Sequence, residues 1–205
     1  MNVLLVGPIR DSINIDKINY DLCIAVDRGV VRASERKLDV DIAIGDFDSL
    51  NDKEKDLLFE VKKVIKMNAK KDSSDLECAL EYLSLRHDIH HIYAFGFLYG
   101  NRLDHLLTNI FLLYKYKMLN VLLLAKKSCI YLLKKGNYYL EKNGYKYISF
   151  YSLNRALINL KKGFKYQVEN DIISPVHLKY LSNEIILDKA YIENMDDIIV
   201  IQSND

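Results

Sequence analysis

The stretch Ile42-Ala43-Ile44-Gly45-Asp46-Phe47-Asp48-Ser49 sets a short apolar run directly before a glycine and two acids. An apolar run bounded in this way reads as a buried strand with a polar cluster at its carboxyl end. The same design recurs on both sides of it. Leu22–Val26 is followed by Asp27-Arg28-Gly29, and Ile92–Phe95 by Gly100-Asn101-Arg102-Leu103-Asp104-His105. Val61–Ile65 is followed, after a short loop, by Lys71-Asp72-Ser73-Ser74-Asp75. Val3–Val6 and Val121–Ala125 read as further buried strands. Between them Leu76, Ala79, Leu80 and Leu83 repeat at i, i+3, i+4 and i+7, one face of a helix. Leu103 to Tyr116 predicts a second, more apolar helix packed on both sides. Strands alternating with helices imply right-handed crossovers, and so an α/β domain over residues 1–125 with a mainly parallel, Rossmann-like sheet and flanking helices.

The pattern changes after residue 125. Ile130–Leu133, Tyr145–Tyr151, Ala156–Leu160, Gly163–Val168, Glu184–Leu187 and Ile198–Ile201 are short strand-like pieces separated by turns such as Lys135-Gly136-Asn137 and Asn143-Gly144. No long helical period appears, so residues 126–205 predict an antiparallel β-sandwich.

Bulk properties narrow the function. Half of the 205 residues are hydrophobic, enough for a packed core, and the formal net charge is +1. Lysine pairs such as Lys62-Lys63 and Lys161-Lys162 form no basic block, which argues against nucleic acid as the main partner. The apolar run Val3–Val6 stops at Gly7-Pro8, too short for a signal peptide, and no stretch has the length of a membrane span. Cys23, Cys78 and Cys129 are odd in number and lie in apolar segments, as buried thiols of a cytoplasmic protein would.

In an open parallel sheet the carboxyl ends of the strands share one edge, where ligands bind. The four acidic clusters would then meet in one crevice and repel each other unless a cation sits among them. Hard oxygen donors with little histidine or cysteine nearby favour Mg²⁺, which bridges carboxylates to substrate phosphates. Lys71 and Arg102 add the positive charge a polyphosphate requires. There is no Gly-x-x-x-x-Gly-Lys-Ser/Thr loop and no Gly-x-Gly-x-x-Gly. Transfer of phosphate from a Mg²⁺-bound nucleotide fits these features. A Mg²⁺-dependent nucleotide phosphohydrolase, or a non-enzymatic receiver-type nucleotide sensor, would use similar aspartates.

Each cluster also has a structural reading. Ser74-x-x-Glu77 is a capping-box pattern, and Asp75 or Asp104 in a first helical turn suits the macrodipole. Asp48-Ser49 could cap a helix starting near Asn51, Asp27 could cap the helix after it, and His105 could be a hydrogen-bonded structural histidine.

The same segments resemble the thiamine pyrophosphokinase family. Its pattern runs Asp-Gly-Gly, Gly-Asp-Phe-Asp-Ser, Lys-Asp-x-Thr-Asp, then Gly-Gly-Arg-x-Asp-His followed by Asn-Ile. Here these stand as Asp27-Arg28-Gly29, Gly45 to Ser49, Lys71 to Asp75, and Gly100 to His105 with Asn109-Ile110, in the same order over roughly residues 20–115. Arg28 and Asn101 replace glycines, and Ser74 replaces a threonine but keeps the hydroxyl. Weaker matches follow at Leu160-x-x-Gly163-Phe164-Lys165-Tyr166 and Leu181-Ser182-Asn183-Glu184. The resemblance implies that ATP donates its diphosphate to thiamine, releasing AMP, in a homodimer. It implies Asp46, Asp48 and Asp75 as Mg²⁺ ligands, and Asp104 as a further ligand or the group orienting the attacking hydroxyl. Arg102, Lys71 and Ser74 would contact phosphates, and Asp27 would lie at the nucleotide edge. Ser182 and Asn183 would contact thiamine across the dimer.

Overall fold

The computed structural model describes residues 1–67 and 73–205. The chain divides into two compact units, Met1–Lys126 and Lys127–Asp205. The first runs β1 (Asn2–Val6), β2 (Leu22–Val26), α1 (Gly29–Glu35), β3 (Ile42–Gly45), α2 (Asp52–Lys55), a 3-10 turn (Asp56–Glu60), β4 (Lys63–Lys66), α3 (Asp75–Ser84), β5 (His91–Phe95), α4 (Leu103–Lys115) and β6 (Val121–Ala125). Its strands lie in the order β4-β3-β2-β1-β5-β6, and every neighbouring pair is parallel.

Burial follows from sequence order. The inner strands are unbroken apolar runs because helices cover both faces of a parallel sheet; Val3–Val6 and Cys23–Val26 have no exposed surface. The edge strand β4 differs. Its lysines stand in solvent, where charge discourages pairing with another strand. In α3 the buried residues are Leu76, Cys78, Ala79, Leu80 and Leu83, the stripe read from the spacing. α4 departs from expectation. It buries Asn109, Leu112 and Leu113, whereas Leu103, Leu107 and Phe111 are 71%, 53% and 45% exposed in the chain. Apolar composition alone did not tell a helix packed on two sides from one with a bare apolar stripe.

The second unit contains β7 (Ser128–Leu133), β8 (Gly136–Glu141), β9 (Tyr147–Tyr151), β10 (Ala156–Leu160), β11 (Val168–Ile173), β12 (Lys189–Asn194) and β13 (Ile198–Ser203). β13 pairs antiparallel with β7 and β9, and β11-β10-β12-β8 form an antiparallel sheet. Phe150 of β9, Ile158 of β10, Ile192 of β12 and Val200 of β13 share one core. Two expected strands shift. Residues 163–167 and 184–187 are irregular apart from the bridge between Phe164 and Ile185, and the ladders are made by β11, which begins at Val168, and by β12 instead. Gly163 explains part of this: at φ 103 it runs against Lys189, and a Cβ there would lie 2.3 Å from the Lys189 carbonyl oxygen. That close approach turns the chain out of a ladder. β12 buries alternate residues only and β8 buries Leu140 alone, so charged and tyrosine side chains dilute their apolar signal.

Candidate active site

Neighbouring strands deliver the acids. Asp27 follows β2 directly, with φ 47, and is 7% exposed. Gly45 closes β3 beside it; a Cβ at Gly45 would lie 2.9 Å from the Asp27 Cα, so only glycine lets the two strand ends come this close. Phe47 is also left-handed, at φ 60, and its ring joins a small core with Ala25, Val30, Ala43 and Leu50. Burying Phe47 anchors the loop and leaves Asp46 and Asp48 outside the core on either side of it. Carboxylate oxygens of Asp27, Asp46 and Asp48 consequently lie within 4.8 Å of one another.

The electrostatics record the crowding. The Asp48 carboxyl is pushed above its usual range, chiefly by the charge of Asp46. Asp75, the first residue of α3, is pushed up to about 6, first by burial and then by Asp27, Asp46 and Asp48, with His105 acting weakly the other way. Asp27 accepts a hydrogen bond from Ser49 Oγ at Oδ2 (2.7 Å), while its Oδ1 is buried with no hydrogen-bond partner. A buried carboxylate oxygen without a partner is costly. Three carboxylates this close, one of them carrying such an atom and with Asp75 adding charge, fit Mg²⁺ by donor chemistry and by the neutralisation they need.

Arg102 precedes α4 and forms a fork onto Asp104. Its Nε donates to both carboxylate oxygens (3.0 and 3.2 Å) and its Nη2 to Oδ2 (2.6 Å). This pairing holds the Asp104 carboxyl down to about 2. Both side chains are exposed. The loop before them is tied to α4 by the buried Asn109, whose amide donates to the Phe97 carbonyl (2.9 Å).

A family model described as "Thiamin pyrophosphokinase, catalytic domain" matches residues 17–124. A thiamine pyrophosphokinase of Bacillus subtilis (strain 168) is 35% identical over 173 residues, covering 82% of this chain and 79% of that protein. The chain belongs to the thiamin pyrophosphokinase family. Solved structures of family proteins agree. A thiamin pyrophosphokinase family protein from Enterococcus faecalis superposes with a TM-score of 0.91 at 28% identity, over all of both chains. The Bacillus subtilis enzyme gives 0.84 at 30% identity, over all of this chain and 98% of that one.

Measured against the pyrophosphokinase pattern, the structure sorts the sequence-derived residues. It brings Asp46 and Asp48 together with Asp27, which the sequence had placed at the nucleotide edge. Asp75 stands beside this trio as a fourth carboxylate. The signal for Asp27 existed in its position after a strand, but only the adjacency of β2 and β3 shows which acids meet. Lys71 lies outside the described residues, as does Asp72. Ser74 caps α3, accepting from the Glu77 backbone N–H (3.3 Å), but Glu77 turns its carboxylate to Lys115 of α4 rather than completing the capping box. Asn51, not Asp48 or Ser49, caps α2, in a capping box with Glu54. Arg28 holds the N-cap position of α1 without a side-chain capping bond, so Asp27 is no cap either. In the second unit Ser182 is exposed with φ 54. Asn183 is buried, and its amide is spent on Tyr166 and Glu184: Oδ1 accepts from both backbone N–H groups, and Nδ2 donates to the Tyr166 carbonyl. That bonding ties Asn183 into its own loop, with the exposed Ser182 next to it.

Proposed function

We propose that this protein transfers the diphosphate of ATP to thiamine, giving thiamine diphosphate and AMP, at the crevice lined by Asp27, Asp46, Asp48 and Asp75. The observation that carries this reading is the unpartnered, buried Asp27 Oδ1 inside a trio of carboxylates, in a chain of the thiamin pyrophosphokinase family. Asp27, Asp46 and Asp48 would hold Mg²⁺, with Asp75 next to them. The ion, when bound, would neutralise charge on the phosphate oxygens. What the chain itself supplies is positioning. Arg102 offers a planar fork for phosphate oxygens, and in the free protein Asp104 holds that fork in place. On substrate binding the guanidinium exchanges Asp104 for phosphate, which leaves the Asp104 carboxylate to orient the attacking hydroxyl. Lys71 and Ser74 are assigned to phosphate contacts, and Ser182 to thiamine.

The first unit is read as a Rossmann-like catalytic domain and the second as a β-sandwich that binds thiamine and pairs in a homodimer. A cytoplasmic location is consistent with three buried thiols, and among the described residues no helix is long and apolar enough to cross a membrane. The phosphohydrolase and sensor readings find no support among the relatives. Chromatography of one reaction mixture, run with and without thiamine, tests the assignment. AMP and thiamine diphosphate should appear in equal amounts and only when thiamine is present. Stoichiometric ADP, or AMP formed equally well without thiamine, would overturn it.

A further inference from the structure

Arg28 stands where the family pattern has a glycine, and its side chain is committed to the loop that carries two of the acids. Its Nη1 donates to the Ser49 carbonyl (2.7 Å), and its Nη2 pairs with Glu54 Oε1. The two side chains are 33% and 17% exposed, so the pair is partly shielded from water. Glu54 uses its other oxygen to accept from the Asn51 backbone N–H (3.1 Å), and the Asn51 side chain accepts in return from the Glu54 N–H (3.0 Å). Arg28 therefore grips both ends of the segment Ser49–Glu54: the last residue of the acid-bearing loop and the capping box of the short helix after it. A second tie runs beside it, from Ser49 Oγ to Asp27 Oδ2. The turn holding Arg28 is itself fixed, since a Cβ at Gly29 would lie 2.0 Å from the Val6 carbonyl oxygen of the central strand β1.

We propose that Arg28 is a positioning residue for the metal cluster: it braces the loop bearing Asp46 and Asp48 against the turn bearing Asp27. The inference rests on the metal-site reading above and adds to it the reason the trio is held together before the cation arrives. Three carboxylates this close push the loop away from the turn. The guanidinium's bonds go to Ser49 and Glu54 rather than to the trio, and its charge is paired with Glu54; what it supplies is a mechanical restraint that keeps the loop in its binding geometry. Lysine cannot copy this, since a single ammonium lacks the planar fork that reaches a carbonyl and a carboxylate at once. The brace should therefore act on metal affinity and leave the chemical step of the metal-saturated enzyme alone.

The test is direct Mn²⁺ binding to the full-length protein, followed by electron paramagnetic resonance, alongside kinetics at varied Mg²⁺. Arg28→Met should weaken Mn²⁺ binding roughly tenfold and raise the Mg²⁺ requirement by a similar factor, with kcat at saturating Mg²⁺ within about twofold of the parent. Glu54→Gln should shift binding in the same direction. The double variant should be little worse than the weaker-binding single variant, the signature of two residues acting through one contact. Arg28→Lys should recover only part of the loss. Unchanged Mn²⁺ affinity in a folded Arg28→Met, or a loss confined to KM for ATP, would overturn the brace. Asp27→Asn and Asp48→Asn separate this from failure of the metal site. If they also bind Mn²⁺ like the parent, the metal-site reading falls; if they lose it while Arg28→Met does not, the brace alone falls.

Discussion

Replacing Asp75 by asparagine should stabilise the metal-free protein while removing its activity. The folded carboxyl is raised from 3.8 to about 6, mainly by burial and then by Asp27, Asp46 and Asp48. A group with a folded pKa above its unfolded value holds more protons in the folded state, so stability falls as pH rises between those two values. The penalty is complete at neutral pH. A shift of about two units corresponds to ~3 kcal/mol at 1.36 kcal/mol per unit. Asp75 keeps part of its hydration, and screening reduces this to on the order of 1 kcal/mol. Against it stands the favourable place of an acid in the first turn of α3, about 0.5 kcal/mol. The balance predicts that Asp75→Asn melts about 2 °C above the parent at neutral pH in chelator. The gap should shrink towards about pH 4, where the folded parent is already protonated. Excess Mg²⁺ should reverse the order, because binding to the native state stabilises the parent more than a variant missing one charge beside the site. Scanning calorimetry in chelator and in Mg²⁺, at both pH values, measures the stability changes, and a turnover assay at saturating Mg²⁺ measures the lost activity. A variant less stable than the parent in chelator at neutral pH would mean that Asp75 serves chiefly as a helix-start residue, and the crowding argument would be wrong.

Asp46→Asn and Asp48→Asn should each lower turnover more than ~100-fold, about 3 kcal/mol of transition-state stabilisation, with circular dichroism unchanged. Full activity in either folded variant would place the metal elsewhere. Arg102→Lys should lose nearly as much activity as Arg102→Ala, since lysine cannot make the fork now seen on Asp104. Near-normal kinetics of Arg102→Lys would reduce that residue to general positive charge.

Local patterns in the sequence were enough to settle the first half of the fold. Unbroken apolar runs followed by acids, with a 3.6-residue stripe at Leu76, Ala79, Leu80 and Leu83, already state a parallel sheet with the acids at one edge, because parallel strands end on the same side. The same patterns put Asp46 and Asp48 together after one strand, and Arg102 and Asp104 together at the start of one helix, where the structure has them. Strand boundaries in the second half were less so. β8 and β12 are half-exposed, and their placement depends on partners distant in sequence, such as Tyr139 opposite Tyr191. Which carboxylates meet was decided only in three dimensions. Asp27 and Asp46 are neighbours because β2 pairs with β3 and because Gly45 lets the strand ends touch. The sequence shows only that Arg28 replaces a glycine of the family pattern; the fold brings Ser49 and Glu54 within its reach. Sequence supplies the residue types and their local geometry; the contacts between loops come from the order of strands in the sheet, which no local pattern encodes.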